Sequence, residues 1–470
     1  MSQVLIITHE PLRKNLSGPG VRALEMARAL AERQQVTVAT PYPPEIADDR
    51  CRLAEYSFDR PSDLKRLAEQ AAVLVVQGFT LSQFPFLGEL EAAIVVDLYC
   101  PFTIEHLEMT RSRGTGMNRS AAEWIAVEAD AADVLTVQNL QLAAGDFFLC
   151  ASERQRDFWI GALHTAGRIN PRTYAEDPTL RSLIDVVPFG LPAQPPPEQG
   201  HLPAVLKGVR AGIRASDHIL LWAGSILDWQ DPQTLVRAVA AISARRQDVK
   251  LFFMGTRHPN PSVPPMRAVR ESIEIARELG VLDSFVFFND WVPYTDRWRY
   301  LIEADLGLST HHDHLETALS FRTRMLDYLW AGVPIVCTAG DVLSSLVKQK
   351  NLGAVVPAGD VGQLAAAIER LVDDTDERAR CRSRLFEVAE EFRWRRVVAP
   401  LARFCDAPRL APDRAHPRRR LSFQAGGNRR VRRWMKRALL RIGVPEARVQ
   451  QARRLMPVRM MLGLLNRRAR

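Results

Sequence analysis

No apolar run in the 470 residues approaches the roughly 20 needed to span a bilayer, so no transmembrane helix is expected. The six cysteines, Cys51, Cys100, Cys150, Cys337, Cys381 and Cys405, include no CxxC pair. That spacing argues against a zinc knuckle and a disulfide framework, and fits a reducing compartment such as the cytoplasm. The first residues, MSQVLIITH, lack a basic stretch followed by a long apolar one and read as a first β-strand, not a secretory signal. No short tandem repeat is present. Acidic residues are scarce at one end: residues 411–470 hold 18 Lys+Arg against 2 Asp+Glu, net +16, which leaves −7 on the other 410 residues of a chain whose total is +9. A mildly acidic body therefore carries a strongly basic tail.

With 47% hydrophobic and 25% charged residues, the body is long enough for two α/β domains, each with its own core. Strand and helix patterns alternate from the start: VLIITH, a helix over about 21–33, VTVAT, a helix near 62–70, AVLVVQG, AAIVVDL, two helical stretches and DFFLCA. The proline-rich run PAQPPPEQG can continue neither element and reads as a linker. The alternation restarts with HILLWAGS, a helix over 232–245, VKLFFMGT, a helix over 266–279 and SFVFFN. Parallel strands with covering helices follow, in two Rossmann-like domains. The expected boundaries are 1–191 for the first, 192–200 for the linker, 201–385 for the second, 386–405 for a helix returning to the first, and 406–470 for the tail.

The densest group of charges lies in HLETALSFRTRMLDYLWAGVPIV, residues 314–336. A buried strand, ADLGLS, precedes it; residues 319–330 keep a helical period that stops at Ala331-Gly332, before Pro334 opens the next strand. In an open parallel sheet the carboxyl ends of the strands are where ligands bind, and a helix N-terminus offers free N–H groups to a phosphate. Arg322 and Arg324 would add fixed charge, and Asp327, one turn on, would accept hydrogen bonds from ribose hydroxyls. The competing reading is that the three form solvated pairs along one helix.

This segment resembles the C-terminal domain of GT-B glycosyltransferases of the retaining family 4, the "glycosyl transferases group 1" domain. The family signature, small-Thr-Lys-x-x-Glu-Tyr-x-x-x-Gly-x-Pro-Val, is followed by TRMLDYLWAGVPI from Thr323 onward, with Arg324 for Lys and Asp327 for Glu. The resemblance implies that Asp327 binds the nucleotide ribose and that Arg324, with Thr323 and Arg322 beside it, lies near the donor diphosphate. A second Glu, eight residues earlier in many members, is Leu319 here; Glu316 is the candidate for its sugar-facing role. The family's donor loop falls on HILLWAGSILDWQ, with Gly224 retained but Ser225 and Gln230 where Arg and Lys are usual. Both usual cations are missing, so Arg322 and Arg324 are expected to supply the charge. DVVPFG, with Phe189 for Asn, resembles the interdomain segment, and VVPAGD with the helix after it resembles the closing strand and helix. The likeness covers about residues 3–405.

In the first domain, Gly18 and Gly20 sit between the first strand and a helix, where relatives carry a glycine-rich loop facing the cleft, and Arg22 is near enough to reach it. Where many relatives place a His, this chain has VVDLY; Asp97 is the acceptor-side candidate, to orient or deprotonate a hydroxyl, or else a cap for the next helix. His106 reads as an ordinary helix residue. His311, His312 and His314 with Glu316 contain metal-ligand chemistry, but adjacent loop histidines seldom converge on one ion, and the resemblance implies no catalytic metal and no cofactor beyond a nucleoside-diphosphate sugar as donor. The implied reaction is transfer of a glycosyl unit to an acceptor hydroxyl with retention of configuration.

In the tail, RRVRRWMKRALLRI (residues 429–442) spaces Val431, Trp434, Met435, Ala438 and Ile442 as a basic amphipathic helix, and a second such stretch runs to Arg470. An anionic membrane surface met through residues 429–470 is the expected partner. Nucleic acid is not expected, since it would not require the apolar stripe; packing onto the acidic body is the remaining alternative. A peripheral position on the inner face of the plasma membrane would suit a glycan or lipid-linked acceptor in cell-envelope or polysaccharide assembly. The rival to an active enzyme is a sugar-nucleotide-binding or membrane-scaffold protein of the same fold that has lost transfer; a sugar-nucleotide epimerase gives the tail no purpose.

Overall fold

The computed structural model describes residues 3–113, 119–198, 200, 202–260, 263 and 265–414. Two all-parallel sheets organise them. The first contains β1 (Gln3–Ile7), β2 (Gln35–Thr40), β3 (Arg52–Glu55), β4 (Val73–Gln77), β5 (Ala93–Asp97), β6 (Phe147–Cys150) and β7 (Ile184–Val186), in the order β3-β2-β1-β4-β5-β6-β7. The second contains β8 (His218–Ser225), β9 (Val249–Gly255), β10 (Val286–Phe288), β11 (Leu306–Ser309), β12 (Ile335–Thr338) and β13 (Gly353–Val356), in the order β10-β9-β8-β11-β12-β13. The central strands β1, β4 and β5 read as runs of Val, Ile and Leu because helices cover both faces. β3 was not expected: RLAE lies on the sheet edge with Arg52 and Glu55 exposed, so no apolar run marks it.

Each order reverses at the sheet's first strand in the chain, between β1 and β4 in one sheet and between β8 and β11 in the other. Those switch points are where the carboxyl ends of the strands part to leave a crevice. The helix Gly18–Leu30 starts there in the first domain, and the segment between β11 and β12 lies there in the second.

The chain crosses between domains twice, side by side. Leu191 N donates to Phe392 O at 2.7 Å, and Trp394 N donates to Leu191 O at 3.0 Å. Gly190 lies so close to Trp394 that a Cβ would stand 2.5 Å from the indole ring. The return is not the single helix expected over 386–405. The helix Thr375–Ala389 ends in a 3-10 turn, Glu390–Phe392, and two short helices, Trp394–Val397 and Ala399–Asp406, carry the chain back. Extended backbone at Arg393 and Pro400 at the start of the last helix enforce the breaks. Phe404 stacks on Phe147 with ring centroids 4.9 Å apart, docking that helix on the first domain. Residues beyond it stay on this domain: Asp413 pairs with buried Arg168 at 2.7 Å, and Ala411 N donates to Asp146. The expected basic helix at 429–442, and all of 415–470, lie outside the described residues. Among the described residues no helix is long and apolar enough to cross a membrane.

Candidate functional site

At the second switch point, the segment between β11 and β12 folds as two helices, not the single one expected over 319–330. Leu315–Leu319 ends at Ser320, extended at φ −80°, ψ 155°, and Thr323–Ala331 follows after Arg322. Gly332, at φ 64°, closes the second helix in the left-handed conformation that favours glycine. Tyr328, from the motif, is a framework residue. Its hydroxyl lies 2.8 Å from Leu221 O and 2.9 Å from Leu308 O and accepts from Ala223 N, joining the helix to β8 and β11. Its ring fills the space beside Gly307, where a Cβ would be 2.4 Å away.

The break separates the two arginines electrostatically. Arg322 turns back to Glu316 in a bidentate pair, Nη1 to Oε1 at 2.9 Å and Nη2 to Oε2 at 2.6 Å, with both residues buried. Arg322 therefore does not stand as a phosphate ligand, and Glu316 does not present a free carboxylate to a sugar. Arg324 is different. It is 8% exposed, its guanidinium carbon sits 3.9 Å from the centroid of the buried Trp222 ring, and Nη2 donates to Ser225 O and Gln230 Oε1, both at 2.9 Å. These acceptors are uncharged, and Nη1 is buried without a partner. Burial lowers Arg324 to about 9; Tyr328 opposes this and the neighbouring charge of Arg322 adds to it. It is still a cation at neutral pH, held at the carboxyl end of β8 with no carboxylate paired to it.

Around this cation, Gly224 is exposed with φ +90°, and a register shift in β8 after Trp222 turns the Ser225 carbonyl to the guanidinium. Thr323 is the first, partly exposed residue of its helix. Asp327 accepts from Arg297 Nε at 3.0 Å and remains a quarter exposed; Arg297 is stacked between Tyr294 and Trp330. The three histidines diverge. His311 is fully buried, against Ser309 and 3.8 Å from Asp341; His312 lies towards Asp231; His314 caps the helix Leu315–Leu319 by accepting from Thr317 N. Burial, then the charges of Arg322 and Arg324, push His311 well below its ordinary value, so its imidazole is neutral at physiological pH.

Across the cleft, Gly18 is open, with nothing within 4 Å of a Cβ, and Gly20 packs on Glu10, Leu16 and Ser17. Asp97 is not offered to an acceptor. Both its oxygens are taken by the fully buried Arg22, at 2.7 and 2.8 Å, and Arg22 also donates to Val187 O and Pro188 O. This pair anchors the outgoing crossing to the end of β5; it is neither a solvated arginine nor a helix cap. Nothing in the spacing of residues 22 and 97 signals it. An acidic group that feels the charges of the second domain is Glu105, which sequence reasoning did not single out. Burial raises it to about 7, with Glu316 adding to the rise while Arg322 and Cys100 oppose it. Three side chains make further contacts across the cleft: Arg154 Nη1 donates to Ala318 O and Gly340 O at 2.9 and 2.8 Å, Gln155 Nε2 to Leu319 O at 2.8 Å, and Asn260 Nδ2 to Glu10 Oε2 at 3.1 Å.

Comparison with known proteins accords with this geometry. Residues 217–374, which contain Gly224, Gln230, Arg324 and Asp327, match the family model described as glycosyl transferases group 1. A D-inositol 3-phosphate glycosyltransferase from Thermobispora bispora is 26% identical over 193 residues, 41% of this chain and 44% of that protein, so the chain matches less than half of that relative's length. A Salinispora arenicola protein of the same name is 26% identical over 429 residues, 84% of this chain and 88% of that one. Among solved structures, Anabaena HepE in complex with UDP and glucose superposes with a TM-score of 0.61 at 15% identity, over 86% of this chain and 99% of that one. Two parallel-sheet domains give this chain the GT-B fold, and its second domain matches the glycosyl transferases group 1 family.

Proposed function

We propose that the chain is a retaining glycosyltransferase that moves a sugar from a nucleoside-diphosphate sugar to an acceptor hydroxyl, in cell-envelope or polysaccharide glycan assembly. The observation that carries this reading is Arg324, a buried guanidinium bound only to neutral acceptors and with one donor unpartnered. A buried cation without a counter-charge is costly to fold, and an anion at the switch-point crevice would offset that cost. In the reaction the bond from the anomeric carbon to the diphosphate oxygen breaks as the acceptor oxygen bonds on the same face, and the acceptor proton passes to the departing phosphate. Arg324 would stabilise the charge that develops on that phosphate, a contribution of about 3–4 kcal/mol for one well-placed donor. Asp327, one turn along, would reach the ribose with the carboxylate oxygen that Arg297 leaves free. Support also comes from the relatives: the curated ones are named as D-inositol 3-phosphate glycosyltransferases, and the Anabaena structure holds UDP and glucose. Residues 429–470 would bring the enzyme to an anionic membrane and a lipid-linked acceptor.

The test is a calorimetric and thermal-shift panel of UDP-, GDP-, ADP- and dTDP-sugars. One nucleotide class should stabilise the wild-type protein, and Arg324→Ala should weaken its binding by about tenfold or more. Binding by no class in folded protein would favour the scaffold reading.

A further inference from the structure

Gln230 is 3% exposed and pinned at both ends. Its N–H donates to Leu227 O at 3.0 Å, it bridges to His311, and its neighbour Asp231 donates to Thr310 O and caps the helix Pro232–Ser243. Its side-chain oxygen accepts from Leu227 N at 3.1 Å and from Arg324 Nη2 at 2.9 Å. The other acceptor of Nη2 is the Ser225 carbonyl, which the Trp222 indole N–H also approaches at 3.3 Å. The flat face of Arg324 lies on the Trp222 ring. Two neutral oxygens and one aromatic face thus fix the guanidinium plane, and none of them carries negative charge. A carboxylate at 230 would hold the arginine equally well but cancel its charge; a lysine there would repel it.

We infer that Gln230 is a positioning residue for the donor diphosphate: its amide oxygen orients Arg324 while leaving the guanidinium charge free for the phosphate. This rests on the donor-site reading above. With uncharged residues at 225 and 230, the cation of the site is Arg324 on the helix Thr323–Ala331.

The test is calorimetric titration of the full chain with the nucleoside diphosphate that the wild type prefers and with the matching nucleoside. Gln230→Glu keeps an acceptor for both Arg324 and Leu227. It is expected to weaken the diphosphate by at least about tenfold, to leave nucleoside affinity unchanged, and to melt no lower than wild type. A residue with a merely structural role would not separate these readouts. The second arm moves the charge: Arg324→Gln alone should lose diphosphate affinity, and the double variant Gln230→Lys/Arg324→Gln should regain much of it. Wild-type diphosphate affinity in a folded Gln230→Glu variant, or a double variant no better than Arg324→Gln, would overturn the inference while leaving the donor site standing. A wild-type protein that binds no nucleoside diphosphate would overturn both.

Discussion

Arg322 and Arg324 lie two residues apart and end in opposite electrostatic states, one neutralised by Glu316 and the other bound only to carbonyl oxygens and an aromatic face. The motif spacing marked both as candidates, but the choice between them depends on the turn at 320–322, which no spacing encodes. Glu105 supplies a second residue-scale consequence. Burial beside Glu316 lifts its carboxyl from an ordinary value of 4.5 to about 7. Between those values the folded state keeps a proton that the unfolded state has released, so stability falls as pH rises through the window and the penalty is complete above it. Glu105→Gln should remove this slope. Thermal melts of wild type and variant at pH 4, 5.5 and 8 should show the variant gaining on the wild type as pH rises; parallel curves would place Glu105 in solvent.

At the scale of elements, the long strands and their covering helices were legible because burial on both faces writes continuous apolar runs. Strands β8 to β11 of the second sheet, and β1, β2, β4, β5 and β6 of the first, follow from such runs, while β12 was placed by the helix stop before Pro334 and β13 by the family resemblance. β3 was missed because an edge strand with exposed ends has no such run, and the double break in the returning segment because one extended residue, Arg393, decides it. The helix break at Ser320 was hidden by apolar residues on both sides that keep period across it. Gly307 and Tyr328 show how tightly the motif helix is seated on β11. Gly307→Ala should cost about 1–3 kcal/mol by overpacking against the ring, read as a drop in melting temperature; an unchanged melt would mean that the helix can withdraw freely. Tyr328→Phe keeps the ring but leaves Ala223 N without its acceptor, a loss of about 1–2 kcal/mol.

For the whole molecule, the two domains are joined by paired crossings and by polar contacts from Arg154, Gln155 and Asn260 across the cleft. Replacing Arg154 and Gln155 with alanine should loosen the closed arrangement, seen as a larger radius of gyration by small-angle scattering in the absence of ligand; an identical radius would assign closure to the crossings alone. The architecture was readable from the alternation of elements and the linker prolines, whereas the buried Arg22–Asp97 pair that braces the first crossing was not, because it joins residues 75 positions apart. The proposed reaction is transfer of sugar from a nucleoside diphosphate whose departing charge Arg324 receives. Its most direct test is release of nucleoside diphosphate from a panel of sugar donors by wild-type protein and Arg324→Ala side by side. Turnover of one donor class by the wild type, reduced about 100- to 1000-fold in the variant, is the predicted result. No turnover of any donor by folded wild-type protein, or turnover that survives the substitution, would contradict it.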